Sequence, residues 1–238
     1  MAWYHLFSRP PVLEVDQAWR LQRWKSLPAP DLQRELDQIR ILVIDVETSG
    51  FSLRRDQLIA IGASTIVNGR IQLHESFEVI LKQASISSKE NILVHGIGKS
   101  AQENGLDPVE ALLRFLEYIR KDVILAYHVG FDLPMIDKAL KKYLGVSIAS
   151  HTWLDAAFIA PIIYPDYART HKTLDHWTRL FDIRNMSRHN AAADALATAE
   201  LMLKLIRETP DDINLKVLYS LQQKAIRVHK ELYGNSAI

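Results

Sequence analysis

An α/β fold, with a mixed sheet flanked by helices, is what this 238-residue sequence predicts. Three observations carry the expectation. Three β-rich runs come early, and Asn68-Gly69 joins the last two as a two-residue hairpin turn. From Asp107-Pro108 onward the apolar period lengthens to that of a helix. Helical and short apolar segments then alternate, as in a sheet covered by helices.

Residues 1–40 differ in character from the rest of the chain. Trp3, Tyr4, Phe7, Trp19 and Trp24 put three of the five tryptophans in the first 24 residues. Pro10-Pro11 and Pro28-Ala29-Pro30 break this segment, with a short helical pattern through Leu13, Trp19 and Trp24 between them. Asp31 is read as the cap of a second helix reaching about Arg40. Residues 41–47 are a β-branched run, apolar on both faces until acids appear, which predicts a central, doubly covered strand. Residues 57–67 form the second strand and 71–81 the third; 85–100 are loop or short helix. Asp107 caps a helix that begins with Pro108 and keeps apolar spacing to Ile119. A buried strand at 123–127, a helix at 133–143 and a weak strand near 150–154 come next. Helices are expected over 155–163, 173–181, 190–207 and 215–232.

Composition removes several classes. With 29 basic and 28 acidic residues the net charge is +1, so no histone-type field binds polyanions, although a local groove still can. The absence of cysteine excludes disulfides, thiolate nucleophiles, zinc fingers and iron–sulfur clusters, and fits a reducing cytoplasm. No apolar run approaches the ~18 residues of a membrane span, and the first ten residues lack a secretory pattern, so no membrane partner is expected. Nine scattered histidines leave carboxylates to carry much of any metal coordination.

Asp45 and Glu47 are two apart on a strand, so both point to one face. They interrupt an apolar run at its C-terminal end, where α/β sheets present ligand sites. Two adjacent half-buried acids repel each other and need a proton or a cation between them. Thr48-Ser49-Gly50 adds hydroxyls and backbone amides beside them. Asp132 comes after the strand at 123–127 and opens a helix. Asp194 lies among Ala191, Ala192, Ala193, Ala195 and Ala197, small neighbours that allow close approach to another element. His189 is five residues earlier, off the face of Asp194, and is placed just before the helix. Singly, each has an ordinary reading as a capping, dipole-favoured or surface group.

Together, the four acids and His189 resemble the DEDDh family of 3′–5′ exonucleases, which includes the epsilon proofreading subunit of bacterial replicative DNA polymerase. The family's D-x-E-T-[ST]-G motif is matched by Asp45 to Gly50, its H-N-x-x-F-D motif by Tyr127 to Asp132, and its H-x-A-x-x-D-A motif by His189 to Ala195. His95-Gly96-Ile97 is similar to the family's H-G-I loop, and Thr173-Leu174 to its h-x-L segment. One departure is Tyr127-His128, where the family usually has His-Asn.

The resemblance implies an RNase H-like, exonuclease-type fold over residues 41–207; an N-terminal helical extension at 1–40 and a C-terminal helix at 208–238 lie outside it. It implies two divalent metal ions, Mg²⁺ or Mn²⁺, ~3.5–4 Å apart. Asp45 would bridge them, and Glu47, Asp132 and Asp194 would complete the ligands. His189 would take a proton from the attacking water, a role suited to imidazole at neutral pH. Thr48, Phe51, His95 and Phe131 are the expected lining of a pocket for the terminal nucleotide. The implied reaction releases nucleoside monophosphates from the 3′ end of single-stranded nucleic acid. DNA is favoured over the alternative of RNA 3′-end trimming; an inactive binding module is disfavoured by the five retained positions. Arg169, Lys172, Arg179, Arg184 and Arg188, opposed by Asp175 and Asp182, make either a phosphate-holding rim or a mixed solvated surface. The tryptophan-rich extension either packs on its own domain or docks a polymerase or other protein partner.

Overall fold

The computed structural model describes residues 11–210 and 213–234, so Trp3, Tyr4 and Phe7 lie outside the described residues. In chain order the elements are α1 (Val15–Lys25), β1 (Ile41–Thr48), β2 (Leu58–Val67), β3 (Arg70–Ile71), β4 (Phe77–Ile80), α2 (Lys89–His95), α3 (Lys99–Glu103) and α4 (Pro108–Ile119). Then come β5 (Val123–Ala126), α5 (Val129–Leu144), β6 (Trp153–Asp155), α6 (Ala156–Ile163), α7 (Leu174–Leu180), α8 (Ala191–Glu208) and α9 (Leu215–Tyr233). No helix among the described residues is long and apolar enough to cross a membrane.

The sheet runs β3-β2-β1-β5-β6, with β4 also pairing β2. β1 is antiparallel to β2 and parallel to β5, so the sheet is mixed, with β1 inside it as its apolar run requires. Strand alternation divides the core. Leu42, Ile44 and Val46 pack with the Leu112, Leu116 and Ile136 side of α4 and α5. Ile41 and Val43 pack on the opposite side with Leu201, Met202 and Leu205 of α8. The odd positions continue as Asp45 and Glu47, so the acids stand on the α8 face.

α8 reaches them because of one glycine. Gly62 pairs with Asp45, and a Cβ there would lie 2.2 Å from the backbone of Ala191 and Ala192. The first turn of α8 therefore rests directly on β2. Gly62→Ala is expected to push α8 away, at about 1–3 kcal/mol for an overpacked contact. Denaturant unfolding should show that loss, and any turnover that depends on Asp194 should fall with it because Asp194 moves with the helix. A variant of wild-type rate would show that the helix has slack at this contact.

Two expected elements are corrected. The helix from Asp31 to about Arg40 is absent; only a 3₁₀ turn, Leu36–Gln38, forms there. The Leu32 and Arg34 carbonyls accept from Lys216 and Leu215 N–H, and Glu35 bridges to Asn214, so the segment is tied to the start of α9 and not to itself. The third strand is split into β3 and β4 by a 3₁₀ turn at Leu73–Glu75, although both halves pair with β2.

α1 packs on the domain through Trp24 and Arg20. Trp24 is buried, donates from Nε1 to the Arg120 carbonyl at 2.7 Å and stacks on His151. Arg20 of the same helix pairs with Glu110 and Glu117 of α4. Trp19 is 63% exposed.

Candidate active site

The four acids come from three places in the fold. Asp45 and Glu47 are at the C-terminal end of β1, just before a register shift between Glu47 and Thr48 that turns the chain beyond it. Asp132 is in the first turn of α5, which starts at Val129, four residues earlier than the apolar pattern suggests. Asp194 is in the first turn of α8, capped by Asn190, whose side chain accepts from the Ala193 amide. Carboxylate oxygens of Asp45, Glu47 and Asp194 lie within 4.8 Å of one another. Asp132 is buried and lines the same cavity without joining that trio.

The electrostatics are unfavourable to the acids alone. Burial first, then the charges of Asp132, Asp194 and Glu47, hold the Asp45 carboxyl well above the usual carboxylate range. Burial and the Asp194 charge push Glu47 up to about 8. Burial and Asp155 raise Asp132, against the pull of the Asp132 and Val46 amides. Arg188 is the cation that opposes this at Asp45 and Glu47. An all-oxygen, mutually repelling donor set of this kind fits a hard divalent cation.

The sequence leaves Arg188 on either a basic rim or a solvated surface, and it reaches into the cavity. Its guanidinium pairs with Asp194 and, at 2.6 Å, with Asp175. Asn185 donates to the other oxygen of Asp194. The His189 amide donates to Asp194 Oδ2 at 3.0 Å, which its left-handed φ of 61° permits. His189 itself is exposed at the mouth, just before α8 as its spacing requires.

All nine residues expected at the site line one cavity of about 360 Å³: the four acids, His189, Thr48, Phe51, His95 and Phe131. Phe51 is 85% exposed and leans on Phe131, ring centres 6.2 Å apart. His95 is buried. Its Nδ1 accepts from the Ile97 amide at 3.0 Å, and burial lowers its pKa, so it presents a neutral ring. Asn91, Val94, Tyr127 and His128 also line the cavity; Tyr127 and His128 open the second motif, whereas no sequence pattern points to Asn91 or Val94.

Sequence reasoning also misses Asp155. It is buried beneath the second motif and accepts from the amides of His128 at 3.1 Å and Val129 at 2.9 Å. His128 has a φ of 72° and sits edge-on to Tyr127. The Tyr-His pair thus occupies a turn whose shape is set by a carboxylate below it.

One consequence is pH-dependent stability in chelator. Glu47 ionises near 8 in the fold against an ordinary 4.5. Between those values the folded chain holds the extra proton, so stability should fall as pH rises from about 4.5 to 8 and level off above. Thermal unfolding in EDTA across that range checks it, and Glu47→Gln should flatten the fall. An identical fall in that variant would assign it to other groups.

An exonuclease family model, RNase T, matches residues 42–202. The PolC-type DNA polymerase III of Bacillus subtilis (strain 168) is 29% identical over 202 residues, covering 85% of this chain and 13% of that protein. The PolC-type DNA polymerase III of Caldanaerobacter subterraneus subsp. tengcongensis is 34% identical over 176 residues, 74% of this chain and 12% of that protein. The chain thus spans only a small part of these relatives. Among solved structures, E. coli exonuclease I in complex with a dA16 oligonucleotide superposes with a TM-score of 0.61 at 18% identity, covering 71% of this chain and 42% of that one.

Proposed function

The chain belongs to the RNase T exonuclease family, and we propose that it is a metal-dependent 3′–5′ exonuclease that releases nucleoside monophosphates from single-stranded DNA. The observation that carries this reading is the trio Asp45, Glu47 and Asp194 within 4.8 Å, on a cavity shared with Asp132 and rimmed by His189 and two phenyl rings. The four acids would hold two Mg²⁺ or Mn²⁺ ions. When bound, such ions neutralise the acids and stabilise charge on the attacking and leaving oxygens of a phosphodiester.

The chain's own groups do the rest. Phe51 and Phe131 offer ring faces to the terminal base, a contact every base can make. A ring nitrogen of His189 takes a proton from water as its oxygen bonds to phosphorus. The bond from phosphorus to the preceding 3′ oxygen breaks, and that oxygen takes a proton from solvent. The products are a nucleoside 5′-monophosphate and a strand one nucleotide shorter with a new 3′-hydroxyl.

The test is a time course on 5′-labelled single-stranded DNA and RNA of equal sequence, with and without Mg²⁺ or Mn²⁺. A metal-dependent ladder that shortens from the 3′ end, faster on DNA, is expected. Faster trimming of RNA would move the substrate assignment. Cuts in circular single-stranded DNA would replace it with an endonuclease, and binding without mononucleotide release would replace it with a binding module.

A further inference from the structure

A second cavity, of about 200 Å³, lies across the residue 49–57 loop from the acid cavity. Thr48, Gly50 and Phe51 line the acid side; Arg54, Arg55 and Gln57 line the far side. Lys82, Lys138 and Lys142 complete five cations around it, over a floor of Leu58, Leu81, Met135 and Ala139, and no acid lines it. None of the five cations joins an ion pair among the described residues.

The wall between the two cavities is fixed. Lys138 Nζ donates to the carbonyls of Leu53 at 3.2 Å, Arg54 at 3.0 Å and Asp56 at 2.5 Å. Asp56 in turn accepts from Ser49 Oγ at 3.1 Å and the Ser52 amide at 2.8 Å. Carbonyl partners leave the full ammonium charge of Lys138 in place. α5 spans both cavities: Phe131 faces the acids, whereas Met135, Lys138, Ala139 and Lys142, at helical spacing, face the cations. At 1.5 Å per residue, Lys138 and Lys142 are about 10 and 16 Å along the helix from Phe131.

A nucleic-acid strand whose last phosphate enters an acid cluster gains little attraction there from the protein itself. Unneutralised cations one loop away supply it, and an apolar floor beneath them suits the face of a base or sugar. We propose that this cavity is a phosphate-binding subsite for the substrate strand, holding its backbone a few nucleotides 5′ of the residue being cleaved. The proposal rests on the exonuclease reading for the identity of the strand. The same phosphate chemistry is carried by a free nucleotide, which the test separates.

The test is fluorescence anisotropy of the full chain in EDTA, with 5′-labelled DNA strands of three and twenty nucleotides, over a salt series. Arg54→Gln/Arg55→Gln/Lys142→Gln leaves the loop-holding Lys138 in place. It should weaken binding of the long strand roughly tenfold, as loss of three exposed charge contacts implies, and leave the short strand unchanged. The slope of log affinity against log salt should fall by about 2, at about 0.7 per phosphate contact on a single strand. The charge-keeping variant Arg54→Lys/Arg55→Lys/Lys142→Arg should retain the wild-type slope. Unchanged long-strand affinity and slope in the glutamine variant would overturn the proposal. Loss of deoxyadenosine monophosphate binding with long-strand binding intact would give the cavity to a free nucleotide and overturn it equally. Because binding is read without metal, a wild type that cleaves no strand would defeat the exonuclease reading and leave this measurement standing.

Discussion

Asp45→Asn is expected to abolish turnover and to stabilise the metal-free protein. The two effects have one cause. Asp45 faces Glu47, Asp132 and Asp194, and its carboxyl is raised by burial and by all three charges. Asparagine keeps the size and removes the charge. A divalent cation held by these acids, as proposed, would lose one of its ligands, and rate should drop on the order of 10³-fold or more, as when a preorganised electrostatic stabiliser is deleted. Without metal the same change removes a group that resists ionising in the fold. Melting temperature in EDTA should rise, by about 2–4 °C for each kcal/mol relieved, and the gain should grow with pH. Asp194→Asn is a poorer probe, because Asp194 also receives Arg188, Asn185 and the His189 amide. Full turnover by Asp45→Asn in saturating Mg²⁺ would remove the metal site from this cavity.

His189→Ala is expected to lower the rate by ~10²–10⁴-fold, the usual worth of a general base, while divalent-ion and strand binding persist. Its side chain is exposed at the mouth and belongs to no carboxylate trio, and its amide, which every L-residue but proline retains, is what touches Asp194. The rise in rate with pH that an imidazole base imposes should flatten in the variant. Loss of metal affinity comparable to Asp45→Asn would make His189 a ligand. A wild-type rate and pH profile would make it a surface residue.

The parts of this site that are legible in sequence are those set by local geometry. Alternation along β1 puts Asp45 and Glu47 on one face whatever surrounds the strand. The five-residue step from His189 to Asp194 separates a loop residue from a helix residue by rotation alone. The hidden parts depend on chain distant in sequence. Gln222 reaches Asp155 across 67 residues, and nothing near Asp155 announces that it supports the turn at His128. Arg188 falls in a stretch that reads as either a phosphate-holding rim or a solvated surface; its approach to Asp194 comes from the bend at His189. The helix expected from Asp31 fails for a related reason, since the carbonyls of that segment are claimed by α9.

The Gln222 contact also bears on how the molecule behaves in a crowd. β6 ends the sheet, and an uncovered strand edge is a template for pairing with another chain. Gln222 Nε2 donates to the Trp153 carbonyl at 3.0 Å and its Oε1 accepts from the Asp155 amide at 2.7 Å. One side-chain amide thus stands where the backbone of a further strand would add on. A chain shortened before α9 would bare that edge together with the apolar surface now under Leu215 and Leu218. Every acid of the first cavity would still be present in it, yet we expect it to be lost to aggregation, recovered in the pellet instead of the supernatant.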